Sequence, residues 1–159
     1  MSREVASQIH FDQVDRLNFA ETGSVASNGV GVSADEIVDL LSSVYPLGIW
    51  RLEISTGLMY WNRDAFVIHG LKFSDEPVNL SQALARYHPE DAVLVEQLIE
   101  AVTAGHNRFR YVMRISDDAG DYRLVALAGR YRDSNGGELI GYCHEFQELV
   151  RSVVLTEAG

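Results

Sequence analysis

A histidine followed closely by two carboxylates is a grouping that can move protons, and the chain offers one at His88-Pro89-Glu90-Asp91. The same four residues also make a helix start. Proline at a first helical position gives up no hydrogen bond, because that N–H has no intrahelical acceptor. The residue before a proline is pushed out of the α region, which casts His88 as the cap. Glu90 and Asp91 then put negative charge in the first turn, where the helix dipole favours it. Capping therefore explains these residues without catalysis. Cys143 and His144 form a second reactive-looking pair, but neighbours on a strand point to opposite faces and cannot share a metal. No His, Cys or acid pair has ligand spacing. No phosphate-cradling glycine loop, nucleophile elbow or catalytic carboxylate pair occurs either. These residues predict no catalytic site and no metal centre.

The bulk composition narrows the class. At 159 residues, 47% hydrophobic and 23% charged, the chain suits one soluble domain with an appendage. Its net charge of −10 disfavours nucleic acid and anionic membrane surfaces as partners. A single cysteine cannot form an internal disulfide, and no apolar run approaches a membrane span or a secretory signal. The expectation is a cytoplasmic protein.

The elements follow from caps and periodicity. Residues 1–32 read as an extension that ends in a flexible Gly/Ser-rich linker, 21–32, with a weak helical pattern at Phe11, Val14 and Leu17. Ser33 and Glu36 form a capping box for a helix within 33–46, whose stripe is Ile37, Leu40, Leu41 and Val44. Pro46 ends it. From Gly48 the period becomes two, giving a hairpin through Trp50, Leu52 and Ile54, Ser55-Thr56-Gly57, and Leu58 to Trp61. Asn62 and Gly70 bracket a short helix, and Asn79 with Gln82 cap another. Ala92, Val95, Leu98, Ile99 and Val102 form the stripe of a longer helix that Gly105 ends. Three strands remain: one around 108–115, one from Tyr122 to Asp133, and one from Leu139 to Phe146 after an Asn135-Gly136 turn.

The middle strand is apolar on both sides: Val125 and Leu127 on one, Leu124, Ala126 and Ala128 on the other. Both faces of the sheet therefore need cover. The helices between the hairpins can supply one. The other carries Leu124, Ala126, Ala128, Tyr142 and Phe146, and the expectation is that the 33–45 helix lies across it through Ile37 and Leu41, with two chains meeting there as a homodimer. Arg108, Arg110 and Arg114 form a stripe read as cross-strand ion pairs or, alternatively, a docking patch.

Residues 47–147 resemble a PAS domain. The resemblance rests on Gly48-Ile49-Trp50, Tyr60-Trp61, His88-Pro89-Glu90-Asp91, Val112-Met113-Arg114-Ile115 and Gly120, five pieces in order at the expected separations. It implies an α+β fold: a five-stranded antiparallel sheet in order 2-1-5-4-3, helices on one face around a central pocket, and an N-terminal cap helix. It leaves 148–159 as a tail. By similarity the pocket is lined by Trp50, Leu52, Met113, Ile115, Val125, Leu127 and Cys143, with Phe66 as its lid. The light-sensing flavin subclass carries an Asn-Cys-Arg-Phe-Leu-Gln string that is missing here. Haem-binding relatives use a helix histidine, for which His69 and His88 are the candidates; His88 is accounted for as a cap, and His69, next to Gly70, is expected near the surface. Haem and flavin are thus disfavoured and no cofactor is assigned. The family often passes its signal through an Asp-Ile-Thr-like string, where this chain has Glu145-Phe146-Gln147. Twelve residues follow Gln147, so output by noncovalent association is expected. Two functions compete: a regulatory module that docks to a kinase or response regulator and homodimerises, and a sensor of an apolar or planar small molecule. A cone-shaped isomerase of the ketosteroid type would need a pocket-facing acid, which the lining lacks.

Overall fold

The computed structural model describes residues 29–146 together with 155 and 157. The weak helical pattern of residues 1–20, most of the linker and nearly all of the tail lie outside the described residues. Ten elements follow in order: α1 (Ala34–Val44), β1 (Gly48–Glu53), β2 (Leu58–Trp61), α2 (Arg63–His69), β3 (Val78–Asn79), α3 (Leu80–Leu84), α4 (Pro89–Gly105), β4 (Arg108–Ser116), β5 (Tyr122–Arg132) and β6 (Glu138–Glu145). No helix among the described residues is long and apolar enough to cross a membrane.

The strands form one antiparallel sheet in the order β3-β2-β1-β6-β5-β4. This is the expected order with one strand added at an edge. The addition is β3, only two residues long, which pairs Val78 with Met59 and Asn79 with Leu58. Two residues are too few to show an alternation in sequence, so the strand was not legible there. The helices α2, α3 and α4 supply the core opposite the inner sheet face, where Ala65, Phe66, Ala83, Val95, Leu98 and Val102 are buried.

Local chemistry sets the element ends. Ser33 Oγ accepts from Glu36 N at 3.1 Å while Glu36 Oε2 accepts from Ser33 N at 2.7 Å, completing the capping box of α1. Asn62 caps α2, and Gly70 closes it at φ 66°, a conformation that costs glycine little. His88 Nδ1 accepts from Glu90 N at 3.2 Å, so this histidine is the cap of α4, with Pro89 at its first position. Gly105 is the last residue of α4, but the left-handed residue that closes the helix is His106, at φ 52°.

The position of α1 departs from expectation. No residue in α1 is buried, and Leu40 and Leu41 remain 60% and 56% exposed. The helix therefore does not cover the outer face of its own sheet. The connection explains this. Tyr45 is extended (φ −137°, ψ 153°), as a residue before proline must be. Leu47 is pinned from both sides: its N–H donates to Asp64 Oδ2 at 3.0 Å and its carbonyl accepts from Asn62 Nδ2 at 3.0 Å.

Candidate functional site

The inner face is closed. Trp50, Leu52, Phe66, Met113, Ile115, Val125, Leu127 and Cys143 all lie in one buried cluster. Trp50 fits because Gly129 and Gly141 face each other across β5 and β6; a Cβ on Gly129 would stand 2.8 Å from the indole and one on Gly141 2.5 Å. What remains open is a cavity of about 30 Å³. Of the eight expected lining residues, Trp50, Leu52 and Leu127 reach it; the others pack elsewhere in the core. Met59, Tyr87, Phe109 and Leu139 line it as well. Phe109 and Leu139 share faces with Met113 and Cys143, so strand alternation was the signal that could have found them. Ligand pockets run from roughly 300 Å³ upward, so this void is on the scale of bound water. Trp50 Nε1 is buried with no hydrogen-bond partner among the described residues.

His69 is not near the surface. It is 2% exposed, stacked on Trp61 with ring centroids 4.1 Å apart. Its Nδ1 lies 2.7 Å from Ala65 O, a carbonyl that only accepts, so Nδ1 carries the proton. Nε2 then accepts from the Tyr87 hydroxyl at 3.0 Å. Burial pushes the imidazole down to about 4 and raises the Tyr87 phenol well above its usual range. Both ring nitrogens are committed, which leaves none for a haem iron. The sequence placed His69 outside because a helix-ending glycine follows it. The fold brings it inside because α2 lies against β1 and turns the end of its buried face toward Tyr87. Burial also raises the Cys143 thiol to about 12, so it is no nucleophile.

The histidine-and-acids stretch holds the fold together. Asp91 is 6% exposed and takes Arg114 in a fork: Nε to Oδ2 and Nη2 to Oδ1, both at 3.0 Å. The Arg114 backbone N–H adds a bond of 2.7 Å to Asp91 Oδ2, and Glu90 reaches Nη2 at 3.2 Å. Burial pushes the Asp91 carboxyl up, but the Arg114 hydrogen bonds outweigh it and hold the group below its ordinary value. This clamp ties the start of α4 to edge strand β4. The arginine stripe expected to pair across strands thus divides. Arg114 pairs with a helix, whereas Arg108 and Arg110 have no ion pair among the described residues.

The outer face is open. Ile49, Val112, Leu124, Tyr142 and Phe146 are each two-fifths to one-half exposed, and Ala126 and Ala128 lie between them. A shallow groove of about 800 Å³ crosses β2, β1, β6, β5 and β4. Its floor is Ile49, Ala128 and Ile140; Tyr60 and Tyr142 stand beside it, and Arg51, Arg108, Arg130 and Arg132 rim it. Two of these arginines are fixed by Glu138, whose side chain has no accessible surface. Arg132 Nε donates to it at 2.9 Å, Arg51 Nη1 at 3.0 Å, and Asn135 Nδ2 at 3.2 Å. Arg132, then Asn135 and Arg51, hold this carboxyl low. Arg51 also lies over the Tyr60 ring, 4.0 Å from its centroid. Among the described residues, no group of three or more His, Cys, Asp or Glu side chains could hold a metal ion.

No protein-family model matches the sequence, and no curated protein matches it. Solved structures do share the architecture. One is the N-terminal domain of a diguanylate cyclase with a PAS/PAC sensor from Marinobacter aquaeolei, 16% identical with a TM-score of 0.54 over 62% of this chain and 94% of that one. A sensory box histidine kinase/response regulator from Burkholderia thailandensis is 19% identical, with a TM-score of 0.55 over 68% and 82% of the two chains. A domain of a histidine kinase from Haloarcula marismortui, assigned to light and redox sensing, is 16% identical, with a TM-score of 0.58 over 70% and 98%. The chain has the PAS fold.

Proposed function

We propose that this chain is a PAS signalling module that works by noncovalent association through its outer sheet face, pairing with a second copy and docking to a signalling protein such as a kinase or response regulator. The observation that carries this reading is the contrast in cover: the inner face is filled, while the outer face leaves apolar side chains in a groove rimmed by arginines. Apolar surface of this kind is stabilised by removal from water, at roughly 25 cal/mol per Å². The lone cysteine and acidic balance support a cytoplasmic setting for this work. Affinity capture from the source cells tests the docking role. A defined signalling protein should bind the native chain and be lost with Ile49→Asp, whose side chain lies on the exposed face; capture unaffected by that change would overturn the reading.

A second reading, sensing of a small ligand, is favoured by one observation, the unpartnered Trp50 Nε1 beside the central cavity. Its ligand would be apolar or planar, with an acceptor for the indole N–H, and would have to open the core to enter. Mass spectrometry of natively purified, then denatured protein decides it: a stoichiometric comigrating molecule would favour sensing over docking.

A further inference from the structure

Strand register sets the outer-face side chains in rows across the sheet. One row runs Arg108, Arg130, Ile140, Arg51 and Tyr60, and the next runs Arg110, Ala128, Tyr142 and Ile49. Their arginines differ in how they are matched. Arg51 is held by Glu53 and Glu138 and lies over the Tyr60 ring. Arg108, Arg110 and Arg130 are exposed and have no ion pair among the described residues. Arg130 Nη1 donates only a long bond, 3.4 Å, to the Tyr131 carbonyl, which leaves its charge unbalanced. Arg108 and Arg130 are also direct cross-strand partners, and like charges placed opposite each other cost stability. This happens in a chain whose acids outnumber its Lys and Arg by 23 to 13, so the corner is cationic against the general balance.

We propose that this corner of the outer face is a binding site for a purine nucleotide, a nucleoside mono- or diphosphate, with phosphate on Arg108, Arg110 and Arg130 and the ring on Tyr142. Arg108 and Arg110 stand about 7 Å apart along β4, and Arg130 is about 5 Å from Arg108 across the pair. Three guanidinium forks around one point suit the three terminal oxygens of a phosphate better than the two of a carboxylate. Tyr142 lies two strands from Arg110 in the same row, about 10 Å away, which leaves room for a sugar over Ala128. Its ring is within 12° of parallel to that of His144, with centroids 6.3 Å apart. The groove lies on the other side of that ring, since Ile140 and Ala128 line it and His144 does not. A planar base stacked there covers the apolar floor, and the groove's volume of about 800 Å³ is in the range of small-molecule sites. A longer polyanion fits less well. Beyond the corner Arg51 and Arg132 are matched by Glu138, and the net charge of −10 repels a chain of phosphates.

The test titrates the full-length, nitrogen-15-labelled chain with the mono- and diphosphates of adenosine and guanosine, following amide resonances. Saturable shifts should centre on Arg108, Arg110, Arg130 and Tyr142, and binding should weaken at high salt. Arg108→Glu with Arg130→Glu should lower the affinity at least about tenfold. Tyr142→Ala should lower nucleotide affinity about fivefold or more while leaving the affinity for inorganic phosphate unchanged. All three positions are exposed, so folding, checked by circular dichroism, should survive. Inorganic phosphate binding as tightly as the nucleotides would reduce the corner to a site for an adventitious ion only and overturn the proposal. Adenosine binding as tightly as its monophosphate would overturn it from the other side. So would a single-stranded oligoadenylate that binds far more tightly than the mononucleotide, which would make the face a nucleic-acid surface. Shifts confined to the core around Trp50, or none up to millimolar nucleotide, also overturn it. The proposal stands apart from the docking reading, which the partner capture decides separately.

Discussion

The two faces of one sheet differ in nearly everything except the strands that build them. On β4, Phe109, Tyr111, Met113 and Ile115 are at most 9% exposed, whereas Val112 between them is 40% exposed. On β6, Cys143 is fully buried beside Tyr142, which is 47% exposed. Inside, polar groups are few and mostly matched, as in the His69–Tyr87–Ala65 chain. Outside, Arg51 and Arg132 pair with Glu138, while Arg108 and Arg130 have no ion pair among the described residues, around an apolar floor. A face closed on itself stabilises, and a face left open can associate. The contrast teaches that burial, more than residue type, separates the two roles here.

The contrast can be broken most forcefully from the inside. Trp50→Ala removes the ring that lies over Gly129 and Gly141, and should cost about 3–5 kcal/mol in urea unfolding. A loss under about 1 kcal/mol would mean that the inner face is less tightly packed than described. A smaller effect belongs to His69. Its folded value near 4 lies below the ordinary 6.5, so the unfolded chain binds its proton first as pH falls. Stability from this group is complete above about 6.5 and is lost progressively as pH drops toward 4, about 3 kcal/mol in all. The difference in unfolding free energy between the native chain and His69→Gln, followed from pH 7.5 to 4, should shrink over that window. A constant difference would show that the imidazole titrates normally. The smallest effect on the fold is expected outside: Tyr142→Ala should change monomer stability by no more than about 0.5 kcal/mol while weakening self-association. A large loss of monomer stability would mean that the outer face is already covered within one chain.

Much of the fold was legible because its signals are local. Ser33 with Glu36, Asn79 with Gln82, and Asn62 with Gly70 marked helix ends that the structure keeps. Alternation along β4 and β5 sorted inner from outer residues correctly, since a strand's period fixes which side each Cβ takes. The misreadings were of a different kind. His69 was expected outside and is buried; α1 was expected over its own sheet and stands clear of it. Asp91 was read as a helix-dipole charge and proves to clamp Arg114, twenty-three positions away. In each case the outcome depends on what a residue meets from a distant part of the chain.

The His88-Pro89-Glu90-Asp91 stretch divides along the same line. By itself the sequence determined that His88 caps and Pro89 begins a helix, because both follow from backbone sterics and hydrogen bonding within a few residues. It also determined the alternation that gives the sheet two faces. Only the tertiary structure decided that Asp91 holds β4, that the side chains reduce the central pocket to about 30 Å³, and that the open groove lies on the far side of the sheet. Those results depend on how volumes and charges from separate elements fit together, and no local pattern contains that information.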